Sequence, residues 1–239
     1  MTVAPAAAQA AMKRAAAERA VAEIADGMVV GLGSGSTAEL ALEALAARVA
    51  QGLRVSGIPT SERSAALARR LGIVLTSFAE HRRIDIAIDG ADQVERATLN
   101  LVKGRGGALL REKIVASAAD RMIVVVDETK LVERLGGAMP LPVEITRFGW
   151  QTVLERLAAI GCVPRLRLAA HRPFVTDGGN YIADCAFAGD FDAPQLEDRL
   201  GRITGVVETG LFIGLASQIM VGRRNGVELI ESRSVIRSR

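Results

Sequence analysis

The 239-residue sequence is poor in aromatic residues: six Phe, one Trp and one Tyr, 3% of the chain. Platforms for stacking nucleic-acid bases are therefore scarce. No zinc-finger or RNA-recognition pattern makes up for them, so no nucleic-acid partner is expected. Only two cysteines occur, Cys162 and Cys185, without a Cys-x-x-Cys spacing. That argues against structural zinc and against a disulfide in a reducing compartment. The two histidines, His81 and His171, each stand beside arginine and read as exposed loop residues. Neither has a partner at metal-ligand spacing, so no metal is expected. The longest apolar runs, such as MIVVV at 122–126, are far too short to cross a bilayer. The Ala-rich start carries charges through its second half, as an amphipathic helix does and a signal peptide does not. The expectation is a cytoplasmic protein with no membrane partner.

Lysine is scarce in a different way. Of 30 basic residues only Lys13, Lys103, Lys113 and Lys130 are lysines; arginine serves everywhere else. A lysine then marks a place where a compact ammonium suits better than a planar guanidinium. Lys103 and Lys130 each follow an apolar strand-like run, which singles them out. The net charge of +3 is spread along the chain, and it suits a small anionic metabolite.

What the chain does have is alternation. MVVGLG, LRVSGIP, GIVLTS, IDIAIDG, LNLVKG and RMIVVVD read as strands, separated by helical patterns such as TAELALEALAARVA and ALLREKIVASAAD. This predicts an α/β, Rossmann-like, mostly parallel sheet covered by helices. From Leu141 the texture becomes strand, helix, strand, hairpin, helix, strand, the ferredoxin-like order. The Gly-Gly-Asn of VTDGGNYI marks the expected hairpin turn. The expected division is a catalytic domain of 1–141 plus 208–239, with a small ferredoxin-like α+β domain at 142–207.

Ligands of open parallel sheets bind beyond the carboxyl ends of the strands. There the sequence gathers Ser34, Gly35, Ser36 and Thr37; Thr60 and Ser61; Asp89, Gly90, Ala91 and Asp92; Lys103, Gly104, Arg105 and Gly106; and Lys130. GLGSGST lacks the third glycine of a dinucleotide fingerprint, and Ile58-Pro59 replace the ribose-binding acid. A single phosphate suits this loop, as does a bare strand-to-helix turn capped by Ser or Thr. LVKGRGGALLREK is not a P-loop, because its lysine precedes the glycines. Each motif alone has an ordinary structural reading; their coincidence on one rim raises the functional one.

Taken together, GLGSGSTA, PTSERSAALARRLGI, DIAIDGADQV, LVKGRGGALLREKI, VVVDETKLV, LPVEI, VTDGGNYIAD and GVVETGLF resemble ribose-5-phosphate isomerase type A, in that family's order and over nearly the whole chain. The resemblance implies reversible conversion of D-ribose 5-phosphate to D-ribulose 5-phosphate. It implies no metal or organic cofactor, and a homodimer or homotetramer. Residue by residue, it implies that Ser34–Thr37, Asp89–Asp92, Lys103–Gly106 and Lys130 bind substrate. Glu112 is implied as the catalytic base.

That chemistry asks for such groups. One carboxylate can take a proton from one carbon and return it to the next through an enediolate, which makes Glu112 the expected base and acid. Lys103 and the loop amides would face the developing oxyanion. Asp89 is expected as the second acid–base group, for ring opening, with Asp92 binding hydroxyls or orienting Lys103. Gln93 stands where the family commonly has glutamate, and Arg105 where glycine is commonest. A non-catalytic sugar-phosphate sensor is the alternative, yet a single helix before the first strand leaves a DNA-binding module no room. A deaminase of amino-sugar phosphates or an acyl-CoA transferase fits the lysine loop poorly.

Overall fold

The Ala-rich start folds as a helix because its alanines can be buried without side-chain cost. Helix α1 (Ala6–Val21) turns Ala16, Ala17 and Ala20, all fully buried, onto helix α2 and the central sheet. The computed structural model describes residues 6–137 and 139–231; the outermost ends of the expected larger domain, 1–5 and 232–239, lie outside the described residues. After α1 come β1 (Val29–Leu32), α2 (Ser36–Ala50), β2 (Ser56–Pro59), α3 (Glu62–Arg70) and β3 (Ile84–Asp89). Two short strands, β4 (Gln93–Glu95) and β5 (Leu101–Val102), lead to α4 (Leu109–Ala118) and β6 (Ala119–Asp127). A 3-10 turn at Glu128–Lys130 and β7 (Leu131–Val132) follow. The next stretch holds β8 (Leu141–Ile145), α5 (Trp150–Ala159), β9 (Val163–Leu166), β10 (Leu168–Ala169), β11 (Arg172–Pro173), β12 (Tyr181–Ala186), α6 (Ala193–Gly201) and β13 (Val206–Thr209). The described chain closes with β14 (Leu211–Phe212), β15 (Gln218–Arg223) and β16 (Gly226–Glu231).

The central sheet has the order β16-β15-β6-β3-β1-β2 and is parallel except for its edge strand β16. Met122–Val126 of β6 are all buried, as the unbroken apolar run requires of a strand covered on both faces. One core packs α1 and α2 on one face, and a second, including Val115 and Ala116 of α4 and Phe212, fills the other. No helix among the described residues is long and apolar enough to cross a membrane.

Two expected strands depart from the prediction. GIVLTS does not form a strand; only Leu75 bridges to Gly57, flanked by Gly57 N–H to Val74 O (2.8 Å) and Thr76 N–H to Gly57 O (3.0 Å). LNLVKG leaves the parallel sheet altogether. Its strand β5 pairs antiparallel with β4 and β14 in a separate sheet ordered β14-β5-β4-β7. Two residues of strand are too few to cross the central sheet, and Asp92 N–H already reaches Val102 O (2.9 Å), which folds the chain back on itself. Lys103 therefore reaches the ligand rim from a second sheet, not from the first.

The third sheet has the order β13-β8-β12-β9, antiparallel throughout, with α5 and α6 packed on it. That is the ferredoxin-like connectivity expected of the segment. The expected Gly-Gly-Asn turn forms, through Gly179 N–H to Thr176 O (2.8 Å) and Thr176 N–H to Asn180 O (2.9 Å), but the residues before it form no strand. The paired hairpin of this segment is β10 and β11, turning at Ala170-His171, both at positive φ. Buried Glu144 draws the Thr176–Asn180 turn inward by accepting from Thr176 Oγ1 (2.8 Å) and Asn180 Nδ2 (3.0 Å).

Gly210 joins the second sheet to the third: Lys103 N–H donates to Gly210 O and Gly210 N–H to Pro142 O, both at 2.8 Å. A Cβ on Gly210 would collide with Lys103 O and lie 2.9 Å from Pro142 O, and both are backbone atoms with little room to yield. Gly210→Ala is expected to cost about 1–3 kcal/mol of unfolding free energy in a urea titration. Gly201→Ala, in open space at the end of α6, should be neutral or stabilising by up to about 1 kcal/mol. Equal effects of the two would contradict the junction.

Candidate active site

A cavity of about 370 Å3 opens at the carboxyl ends of β1 and β3, where the lysine loop after β5 leans over them. Its wall includes Ser34–Thr37, Gly90–Asp92, Lys103–Gly106, Glu112 and Lys130. Every residue expected at the site but Asp89 and Thr60 thus lines one cavity; Thr60 is buried behind Ser34. Asp89 lies just beneath the cavity, buried, in contact with Lys103.

The centre is one ammonium facing two carboxylates. Lys103 Nζ stands 3.1 Å from Asp89 Oδ2 and 3.3 Å from Glu112 Oε2, and donates to Gly90 O at 2.5 Å. All three side chains are buried, and Phe212 covers Lys103 with its ring centroid 5.5 Å from Nζ. Three sequence elements converge here: Asp89 ends β3, Lys103 follows β5, and Glu112 sits in the first turn of α4.

The two carboxylates are not equivalent. Asp89 Oδ1 accepts from Ser34 N–H (3.1 Å) and Gly90 N–H (2.7 Å), while Oδ2 takes the ammonium. Glu112 Oε2 is buried and has no hydrogen-bond partner in proper geometry among the described residues. Loss of hydration pushes the Glu112 carboxyl up to about 8; Lys103 opposes this and the Asp89 charge adds to it. Asp89 is also raised, by desolvation, with Lys103 and the two amides holding it down. For Lys103, burial is the largest influence and favours the neutral amine, but Asp89 and Glu112 together outweigh it, and its pKa is raised. With Lys103 charged, the site holds one ammonium and carboxylates that resist carrying two full charges.

Ser34 is committed elsewhere. Its Oγ lies 2.7 Å from Thr60 Oγ1, 2.8 Å from Ser61 Oγ and 3.2 Å from Ser64 Oγ, a hydroxyl cluster that ties the first loop to α3. Gly35 occupies the N-cap of α2 at φ 88°, with no side chain capping the helix. The Ser/Thr-capped turn is therefore not what forms. Gly35 and Ser36 are exposed, and the first amides of a 15-residue helix open onto the cavity.

Asp92 acts on the lysine loop, accepting from Arg105 N–H at 3.0 Å. Gln93 turns out to be a brace. Its amide donates to Gly136 O (2.9 Å) and accepts from Gly136 N–H (3.0 Å), a double contact that an acceptor-only glutamate could not make. The Arg105 side chain is exposed at the cavity wall. Lys130 sits in the turn after β6, which Asp127 caps through Thr129 N–H (3.0 Å).

Sequence reading missed Lys13, Arg63, Phe174 and Asp177, all of which line the cavity. Lys13 pairs with buried Asp127 at 3.6 Å, and its signal was the rarity of lysine itself. Arg63 pairs with Glu39 (2.7 Å). Asp177 accepts from Glu62 N–H (2.8 Å) and so brings the third sheet against α3. Only the strand expected before the turn hid Phe174 and Asp177.

Comparison with known proteins agrees with this geometry. A family model described as ribose 5-phosphate isomerase A (phosphoriboisomerase A) matches residues 56–226. A relative from Gloeobacter violaceus named ribose-5-phosphate isomerase A is 53% identical over 219 residues, 92% of this chain and 95% of that protein. The solved ribose 5-phosphate isomerase A of Methanocaldococcus jannaschii superposes with a TM-score of 0.89 at 40% identity, covering 93% of this chain and 99% of that one. A further D-ribose-5-phosphate isomerase, solved in complex with phospho-erythronic acid, gives 0.88 at 39% identity over 92% and 98%. None of these matches favours a non-catalytic sensor. A cavity with one ammonium shared by two buried carboxylates, in a chain so matched along its length, leads to one conclusion: the chain belongs to the ribose 5-phosphate isomerase A family, the aldose–ketose isomerases of D-ribose 5-phosphate.

Proposed function

We propose that Glu112 is the base that shuttles the proton between C1 and C2. The observation that carries this is its Oε2, buried beside Lys103 at the cavity wall and without a hydrogen bond in proper geometry among the described residues. An acid–base group works best when its pKa lies near the working pH, and about 8 meets that condition where an exposed glutamate would not. Lys103 supplies the positive charge for the enediolate oxygens. Asp89, expected as the second acid–base group, acts through Lys103, because its own oxygens are engaged below the cavity. Lys103 is then the group that exchanges protons with the ring oxygen and O1, and Asp89 sets its charge.

In this reading the substrate phosphate lies at the open amides of Gly35–Thr37, with Lys130 and Lys13 as counter-charges. Asp92 and Arg105 face the sugar hydroxyls. Phospho-erythronic acid, bound by the relative, has a phosphate at one end and a carboxylate whose two oxygens mimic those of the enediolate. It would span the same two ends here. We further assign the chain to the cytoplasm and to a homodimer or pair of dimers.

Purified protein should convert ribose 5-phosphate to ribulose 5-phosphate undiminished in EDTA. Glu112→Gln should lower kcat by about a hundred- to ten-thousand-fold with substrate binding retained. Full turnover in that variant would remove the base assignment.

The pH profile supplies a second check. The base must be ionised, so kcat/KM should rise with pH through a midpoint near 8 and level off above it. Asp89 raises Glu112, so Asp89→Asn should move that limb to lower pH. A limb that stays in place or moves upward would contradict the electrostatic coupling.

A further inference from the structure

Arg167 lies between β9, an edge strand of the third sheet, and β10, which pairs with β11 in a two-stranded sheet; it is outside the wall of the cavity. Its guanidinium reaches the lysine loop nonetheless: Nη1 donates to Gly104 O at 2.8 Å and Arg105 O at 3.0 Å. The other edge of the fork binds Asp184, through Nε at 2.9 Å to Oδ2 and through Nη2 to Oδ1. The backbone of Arg167 is pinned on both sides, by its N–H to Ile182 O (2.8 Å) and by Phe174 N–H to its own carbonyl (2.9 Å). The head group also lies over the Phe174 ring, 6.0 Å from its centroid, and that ring packs against Gly107.

Two consecutive carbonyls turned toward one guanidinium fix the opposite side of the chain as well. In a trans peptide the N–H points away from the preceding C=O, and the described residues contain no cis bond. The N–H groups of Arg105 and Gly106 therefore both face away from Arg167. The first reaches Asp92 on the cavity wall. The second has no acceptor among the described residues, and Gly106 itself lines the cavity. With Arg105 N–H held by the Asp92 carboxylate, Gly106 N–H is the amide of the pair left for an anionic oxygen.

We propose that Arg167, held by Asp184, is a positioning residue for the isomerisation: it sets the lysine loop so that Gly106 N–H meets the developing oxyanion beside Lys103. The assignment builds on the reading of the site above and deepens it. Only a guanidinium can grip a carboxylate with one edge and two carbonyls with another nitrogen, so lysine replaces it poorly.

The test compares Arg167→Met, Arg167→Lys and Asp184→Asn in the full chain by kcat, KM, melting temperature and two inhibition constants. Inorganic phosphate probes the α2 end alone; phospho-erythronic acid probes both ends. Arg167→Met should lower kcat about 10- to 100-fold and weaken phospho-erythronic acid in step, with inorganic phosphate affinity and KM within about threefold. Arg167→Lys should recover part of the loss. Asp184→Asn, which keeps the arginine, should lower kcat by about 3- to 10-fold and carries the test if the methionine variant does not fold. Two results would overturn the proposal: kcat within about twofold in every folded variant, or inorganic phosphate affinity falling as far as kcat. Glu112→Gln is measured alongside. If it is inactive while the Arg167 variants are unimpaired, the base assignment stands and only the positioning role fails.

Discussion

A lysine ammonium buried with two carboxylates is the constraint around which this molecule is arranged. Taking an ion out of water costs several kcal/mol even after relaxation, so Lys103 can be buried only with its partners in place. Asp89 and the Gly90 carbonyl provide that partnership through short contacts. Glu112 is the third member: its Oε2 lies 3.3 Å from Lys103 Nζ but has no hydrogen bond in proper geometry among the described residues. The arrangement stabilises Lys103 fully and Glu112 incompletely. That imbalance gives the glutamate its proton affinity.

Three sheets are needed to assemble it. The central sheet supplies Asp89 and the Ser34–Thr37 loop. The second sheet carries Lys103, and α4 brings Glu112 back over it. The connection from β9 to β12 of the third sheet fastens the lysine loop through Arg167 and closes one wall with Phe174 and Asp177. Gly210 and Phe212, on either side of β14's start, tie Lys103 to this frame from behind. On its other flank Phe212 meets Lys113, which Glu197 (2.9 Å) and Glu208 (2.6 Å) anchor, so α4 is fixed one residue beyond Glu112.

Much of this was legible in the sequence. Apolar runs gave the central strands, and the scarcity of lysine pointed to the ammonium that matters. The strand-end motifs named most of the cavity residues. Lys103's true sheet was not legible, because two apolar residues look the same whether they pair in parallel or antiparallel. The hairpin's first strand was misplaced for a related reason. Gly-Gly-Asn forms its tight turn, but long-range contacts of Glu144 with Thr176 and Asn180, and of Asp177 with α3, decide how the residues before it run. Ala170 and His171 adopt positive φ against their own preference because β10 and β11 pair around them. Gln93 was flagged only as a departure, and its double contact with Gly136 depends on chain 43 residues away.

The central claim is that the substrate-free site holds Glu112 protonated into neutral pH. An isotope-edited infrared titration of the glutamate carboxyl groups, taken as the difference between the unsubstituted protein and Glu112→Gln, reads that proton directly. The account predicts one carboxyl band lost with a midpoint near 8. A band already lost at about 4.3, the ordinary glutamate value, would contradict it.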